Sequence, residues 1–596
     1  MWRYKVGTRK AVLVVVLLSL IFSGCNLDAV PTPEKPPATA TPAAGLKTPP
    51  TQAAGGTPME VPLPVTETSP TLAPLKAITI AFVGGDPESL NPLYAYSWTA
   101  ECVLDLTLAS LWNIDEAGNY VMELAEVMPS FDNGGLSADG KVITYRLKPE
   151  AVWSDGVALT ASDAVFTYEM IMDERNTPYS REPWETYVQS VRAVNEHTLQ
   201  VKLKKAYADW STSFFVGMER ILPRHILEPA LVSAGTLDNA AWNSLPEVGS
   251  GPFVVAEYVP ASHVTLKANP LYWRGRPKLD EVRIRLMEDN TSQLAALASG
   301  EVDVGAYIDG FDIFEIEKLE NLAIYTAENG YQVTLFLNLD PKTTHPALTD
   351  ERVRRAIALA IDRQRLVRNL YDGLFPIPVT YWHGSVYENP DLEPYPFDPE
   401  QARSLLEEAG WVDSNDDGVR EKGKQRLVLR YARLSNEKVS ESTLVFIQQM
   451  LFAVGIGVRF MPTTAEALWG SYKDGGLLAW GEYDLVYWSD GLWSFPSPDT
   501  SYFLCTQIPS STNPWGYNWF GICDPTLDKL FTQQAVEINP QKRIEIVRQI
   551  GKIMYDQTMI IPLYADPDIW AVNTRLSNVR FSGVDPLMYV FEWDLK

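Results

Sequence analysis

The stretch from Pro31 to Leu75 restricts the fold more than any other feature of this chain. It is built from Pro, Thr, Ala and Gly with almost no aromatic or long aliphatic side chains, so it buries too little surface to offset the entropy of ordering it. Residues 25–76 are therefore expected to be a disordered tether, semi-extended at about 3 Å per residue. Folding begins near Ala77. The remainder, about 520 residues, is more than one hydrophobic core supports, so two or more lobes are expected.

Ahead of the tether lies an apolar run ending "LLSLIFSGCN" at residues 17–26. Ala11 to Ser23 is about 13 residues, short of the roughly 20 that span a bilayer, and it follows Arg3, Lys5, Arg9 and Lys10. That pattern reads as an export signal over residues 1–24. Ser23-Gly24-Cys25 resembles the bacterial lipoprotein cleavage box, with Phe22 where Leu is usual. The resemblance implies lipidation of Cys25 and anchoring on the outer face of the cytoplasmic membrane or in the periplasmic space, with ordinary secretory cleavage as the alternative. One acyl chain binds weakly, so firm anchoring implies more than one.

The formal net charge is −25, and loss of the cationic signal makes it more negative. Such a chain is a poor partner for nucleic acid, and membrane proximity has to come from the anchor because no basic face supplies it. Besides Cys25 there are Cys102, Cys505 and Cys523, too few and too widely spaced for a zinc-type set. In an oxidising compartment Cys505 and Cys523 could close a disulfide around "TQIPSSTNPWGYNWFGI", worth about 3 kcal/mol by the chain-entropy model. Three reduced thiols are the alternative.

Periodicity indicates mixed α/β structure. "KVITYRL", "LQVKL", "VRIRLM" and "QVTLFLNL" alternate as half-exposed strands do. "LTASDAVFTYEMIM" offers Thr160 as N-cap with Asp163 three residues on, and places Val165, Tyr168 and Ile171 or Met172 on one face. "FDPEQARSLLEEAGW" offers Asp398 as N-cap, Pro399 at the first helical position, Leu405 and Leu406 inward and Gly410 as stop. "TDERVRRAIALAIDRQRLVRNLYDG" reads as one or two helices with Val353, Ile357, Ala360 and Ile361 inward. No fixed-period repeat is present, which argues against a solenoid or propeller.

Six strings in order then resemble one family. They are "DPESLNPLYAY" (86–96), the stretch from "ELAEVMPS" to "DAVFTYE", "VGSGPFVV" running to "NPLYWRG", "ALASGEVDVG", "DERVRRAIALAIDR" and "DPEQARSLLEEAGW". Over nearly all of 77–590 the chain is similar to the extracellular solute-binding proteins of ATP-driven importers, in the branch with dipeptide, oligopeptide and nickel binders. The resemblance implies an α/β, two-lobed periplasmic-binding-protein (flytrap) fold with an extra subdomain on the first lobe. It implies lobe I at 77–113, 241–329 and 555–596, the extra subdomain at 114–240 and lobe II at 330–554. Partners implied are a small-molecule or peptide ligand and permease subunits with cytoplasmic ATPases, the chain acting as a monomer. Turn chemistry accounts by itself for Gly249, Gly251, Pro252, Asn269 and Pro270 in these strings.

In the peptide-binding members an aspartate after a "GW" or "YW" strand end receives the ligand's α-ammonium. The corresponding strand here is "EYDLVYWSDGLWSFPSPDT", with Trp488 and Asp490 at its end, one residue shorter in spacing and followed by an insert containing Trp493. Asp490 is the expected ligand carboxylate, a solvated turn aspartate being the alternative. The chain also holds 18 Trp and 27 Tyr, and loop aromatics often touch ligands. Tyr96, Trp98, Tyr381, Trp382, Trp488 and Trp493 are the expected ring contacts, suited to peptide side chains or, in oligosaccharide-binding relatives, to sugar faces. A nickel-chelate binder is a further alternative within the family, and a secreted peptidase outside it.

"DSNDDGVRE" (413–421) mimics a calcium loop, but Lys424 stands where the bidentate Glu belongs. The five histidines are dispersed, and no GxSxG elbow, Walker loop or HExxH helix is present. Neither an enzyme nor a resident metal or cofactor is expected.

Overall fold

A computed structural model describes residues 74–435, 438–491, 498 and 501–596. Cys25, the export signal, most of the tether and Trp493 lie outside the described residues. Among the described residues no helix is long and apolar enough to cross a membrane.

Two large sheets organise the chain. The first has seven strands in the order Leu322–Ala327, Asp568–Asn573, Val304–Gly305, Ala77–Val83, Glu281–Met287, His263–Ala268 and Phe253–Val259. The second has five: Gly457–Thr463, Val428–Leu434, Leu485–Gly491, Tyr331–Leu337 and Ile560–Ala565. A three-stranded sheet (Val142–Arg146, Thr198–Leu203, Val188–Asn195) has its own core, in which Trp112, Tyr145, Trp153 and Trp184 are buried. Ile560–Ala565, which the boundary expected at 555 groups with the first lobe, pairs with Tyr331–Leu337 in the second sheet.

The local readings explain most elements. Thr160 caps the Ala161–Met172 helix in a capping box with Asp163. Its buried face, however, runs through Ala164, Thr167, Met170 and Ile171, while Val165, Tyr168 and Met172 are only partly covered. The helix is wedged between the three-stranded sheet and the Arg224–Ala234 helix, so more than one stripe is in contact. Asp398 caps Pro399–Glu408, and Gly410 at φ 83° ends it. Residues 351–371 form two helices, with Val353, Ile357, Ala360 and Ile361 all buried. Tyr331–Leu337 departs from its half-exposed reading. Val333, Leu335 and Leu337 enter one core and Phe336 another, because helices cover both faces of the second sheet.

The chain passes between the two sheets twice, through Glu328–Gly330 and through Asp566–Pro567. These crossovers are stitched together. Asp566 N donates to Tyr331 O (2.9 Å), Asn329 Nδ2 to Asp568 Oδ1 (2.8 Å) and Tyr331 N to Asn329 Oδ1 (2.8 Å). His383, on a loop of the second body, faces Glu328 (3.6 Å) and Glu388 (3.4 Å). Burial alone would lower its pKa, but the Glu328 and Glu388 carboxylates beside it outweigh that and push it up to about 9.

Gly249 and Gly251 lie against the end of the Trp98–Thr107 helix. A Cβ at Gly249 would meet Thr107 O at 2.3 Å, and one at Gly251 would meet Leu106 O at 2.7 Å. Between them Ser250 Oγ accepts from Ala109 N (2.9 Å), and Asn269 Nδ2 donates to Gly251 O (2.9 Å). Turn and packing chemistry thus accounts for this family string.

Gly251→Ala should destabilise the protein by about 2 kcal/mol or more, read by denaturant unfolding, since backbone has to move to admit the methyl. The raised His383 pKa sets a second expectation. Its contribution to stability is complete below the ordinary value of 6.5 and is lost as pH rises toward 9. The melting temperature should therefore fall between pH 6.5 and 9 more steeply in the native protein than in His383→Gln.

Candidate functional site

The site is built where the crossovers meet the ends of both sheets. Asp490 is the penultimate residue of Leu485–Gly491, paired in register with Gln332 on the neighbouring strand. Both are buried, Asp490 at 4% exposure, and Asp490 Oδ1 accepts from Gly491 N (2.9 Å). It is not a solvated turn residue. Strand alternation puts Trp488 on the same sheet face as Asp490. There Trp488 packs against Phe336 (4.5 Å), Trp469 (5.0 Å), Phe520 (5.5 Å) and Trp519 (6.0 Å).

The first body contributes the Trp98–Thr107 helix, capped by Ser97. Trp98 and Glu101 are one turn apart on one face. Trp98 is 52% exposed and lies 6.0 Å from Tyr307, whose ring packs on Trp570 (5.1 Å). Tyr307 holds φ at +52°, a strained backbone for a bulky residue. Burial pushes the Glu101 carboxyl up to about 8, with Asp105 and Asp585 adding to the rise, Arg220 opposing it and Asp568 adding again. Asp568 is likewise pushed up to about 8 by burial, against the bond from Asn329. Its Oδ2 is buried with no hydrogen-bond partner among the described residues.

Tyr331 ties the two sides together. Burial pushes its phenol up to about 12, and Asp490, Asp568, Glu101 and Asp566 each add to the shift. Four carboxyl groups, drawn from both bodies and a crossover, thus act on one ring. Carboxyls gathered this way favour a cationic guest, because burying carboxylates together is costly until a positive charge joins them.

The other expected ring contacts fare differently. Tyr96 is 50% exposed and stacks on Tyr179 (4.9 Å). Tyr381 and Trp382 are core side chains, 1% and 0% exposed, and offer no ring face to a solute. A loop position exposes a residue only if nothing packs over it, and here the helices 525–534 and 540–556 share their cluster. Tyr381 still borders the site, donating from its hydroxyl to Gly491 O (3.4 Å).

Sequence reasoning missed Glu101, Tyr307, Tyr331, Gln332, Asp566 and Asp568. Only Glu101 carried a local signal, its position one turn after the exposed Trp98. The rest converge through strand pairing between distant segments. Cys505 and Cys523 are joined in a disulfide with Cα atoms 4.7 Å apart, and Cys102 is a buried free thiol. In the 413–421 loop Asp413 Oδ2 accepts from Gly418 N, Asp417 Oδ1 from Val419 N, and Asp417 Oδ2 pairs with Arg426. Its carboxylates serve the loop's own turn.

Comparison with known proteins agrees with this architecture. Oligopeptide-binding protein AppA of Bacillus subtilis is 26% identical over 516 residues, covering 85% of this chain and 90% of that one. The dipeptide-binding protein of Escherichia coli is 24% identical over 513 residues, covering 81% and 89%. The structure of AppA in complex with a nonapeptide superposes with a TM-score of 0.61 at 24% identity, over 88% of this chain and all (100%) of that one. NikA from Brucella suis in complex with Fe(III)-EDTA gives 0.70 at 20% identity, over 87% and 100%. These likenesses show the two-lobed solute-binding fold. Residues 91–513 match the family model for the middle region of bacterial extracellular solute-binding proteins, family 5, and the chain belongs to that family.

Proposed function

We propose that this protein captures a di- or oligopeptide outside the cytoplasm and delivers it to a membrane permease driven by separate ATPase subunits. The observation that carries the reading is the group of four carboxyls from both bodies around Tyr331, with Asp490 buried at the strand end. A peptide's α-ammonium supplies the positive charge that complements such a group. The names of the oligopeptide- and dipeptide-binding relatives support the same ligand class. Proteins of this family are transport binding proteins, and no bond-breaking step is proposed for this one.

Capture works through a closure equilibrium. The first body supplies Trp98, Glu101 and Asp568, the second supplies Asp490, and the crossovers act as the hinge. A ligand that touches both bodies stabilises their approach, whereas one that touches a single body shifts nothing. The permease then recognises the closed form. In this reading Cys25 carries the lipid, residues 25–76 hold the monomer clear of the membrane, and the lobes divide where the sheets do.

Titration calorimetry with trialanine tests the proposal. Asp490→Asn should weaken binding at least tenfold while leaving the melting temperature within a few degrees, and N-acetylation of the peptide should weaken it similarly. Unchanged affinity in Asp490→Asn would refute the assignment, and binding of cellotriose or a nickel–histidine chelate in place of trialanine would refute the ligand class. Because Glu101 and Asp568 hold protons at neutral pH, ammonium binding beside them should release protons. The apparent enthalpy at pH 7 should then vary with the ionisation enthalpy of the buffer.

A further inference from the structure

The second body also touches the three-stranded-sheet unit, which Arg220 ties to the first body through Asp105 on the Trp98–Thr107 helix (2.5 Å), at a place that involves neither crossover. Arg543 lies in the Pro540–Asp556 helix, whose Val547, Ile550 and Met554 belong to the core behind the second sheet. Its guanidinium reaches the Ala208–Thr212 turn, whose Trp210 belongs to the separate core around the three-stranded sheet. Nη2 pairs with Asp209 Oδ1 (2.5 Å) and Nη1 donates to Ala208 O (3.3 Å). Nε and Nη2 also donate to Gln534 Oε1, each at 3.0 Å. Beside them Ala208 N donates to Ala535 O (3.3 Å). Ile538 packs so closely on Gly140 that a Cβ there would meet Ile538 Cδ1 at 2.1 Å.

Near the crossovers the contact between the bodies is of another kind. One apolar cluster runs through both, with the Phe311 ring 5.4 Å from that of Tyr371. Gly310 lies so close to the same rings that a Cβ there would meet Tyr371 at 3.0 Å and Phe375 at 3.2 Å. Parting such a contact exposes apolar surface to water and is resisted. Parting the Arg543 contact instead frees charged groups that water can take up once the two surfaces separate. The guanidinium is buried at 6% exposed, but Asp209 is 25% exposed, so water enters the pair from the Asp209 side. Joined, it holds two separately cored bodies together without any ligand atom.

We propose that Arg543 and Asp209 form a releasable latch, made when the lobes close and broken when they part. The proposal rests on the closure reading above, but not on the identity of the solute. The latch adds a ligand-independent increment to the closed state and so sets how far a ligand has to shift the equilibrium.

Disulfide trapping without ligand tests it. Cysteine pairs bond when their Cα atoms come within about 4.4–6.8 Å, and Ala208 and Ala535, joined by a 3.3 Å backbone hydrogen bond, are the pair chosen for trapping. The double variant Ala208→Cys/Ala535→Cys should trap under mild oxidation, the product being identified by peptide mapping against the native Cys505–Cys523 bond. Adding Asp209→Asn or, independently, Arg543→Gln should slow trapping at least fivefold at unchanged melting temperature. Exchanging the charges, Asp209→Arg with Arg543→Asp, should restore most of the rate. Absence of the trapped species, or equal rates with and without the ion pair, would overturn the latch. Since no peptide is present, this outcome is independent of the Asp490 result.

Discussion

Everything in this molecule depends on how the chain crosses between its two sheets. It does so twice, and each crossing is only two or three residues long, so backbone groups that no strand satisfies have to find partners locally. They find them in one another: Asp566 N with Tyr331 O, Tyr331 N with Asn329 Oδ1, and Asn329 Nδ2 with Asp568 Oδ1. Tyr331, Asp566 and Asp568, which take part in these bonds, also belong to the candidate site. A guest bound there would touch the segments that join the two bodies.

The electrostatics follow from that arrangement. Glu101 and Asp568 are held near a pKa of 8 by burial, so at neutral pH they avoid the cost of a buried charge by keeping their protons. An ammonium ion lets them give those protons up. A neutral sugar would leave the carboxyls as they are, so a ligand of that class gains nothing from the group around Tyr331. Aromatic rings flank the group: Tyr307 beside the half-exposed Trp98 on one side, and Trp488 against Trp469 and Trp519 on the other. Burial of the carboxyls themselves strengthens whatever charge pairing a guest makes.

The contacts between the bodies also differ in character in a way that suits motion. Apolar packing of Phe311, Tyr371 and Phe375 persists beside the crossovers, where little displacement occurs during a hinge rotation. Polar pairing of Arg543 with Asp209 lies between independently cored parts, where water can replace it. A rigid hinge and a separable mouth are what a clamp requires.

Much of the scaffold was legible in the residues because its signals are local. Thr160 with Asp163 and Asp398 with Pro399 each specify a cap within a few positions. The family strings are mostly scaffold of this kind, which is why they identify the fold and say little about the solute. That Asp490 lies at a strand end was legible from its context, and its burial was not. The burial of Tyr381 and Trp382 was not, since a loop position says nothing about which helix packs over it. The sequence by itself determined an acidic, mixed α/β chain behind a tether, with its helix ends, its strands and one carboxylate at a strand terminus, all set by interactions between near neighbours. Only the tertiary structure decided that Glu101, Asp566 and Asp568 join Asp490 around Tyr331, and that Arg543 meets Asp209. Those groups come from separate segments of the chain, Asp209 and Arg543 being 334 residues apart, and strand pairing and core packing bring them together.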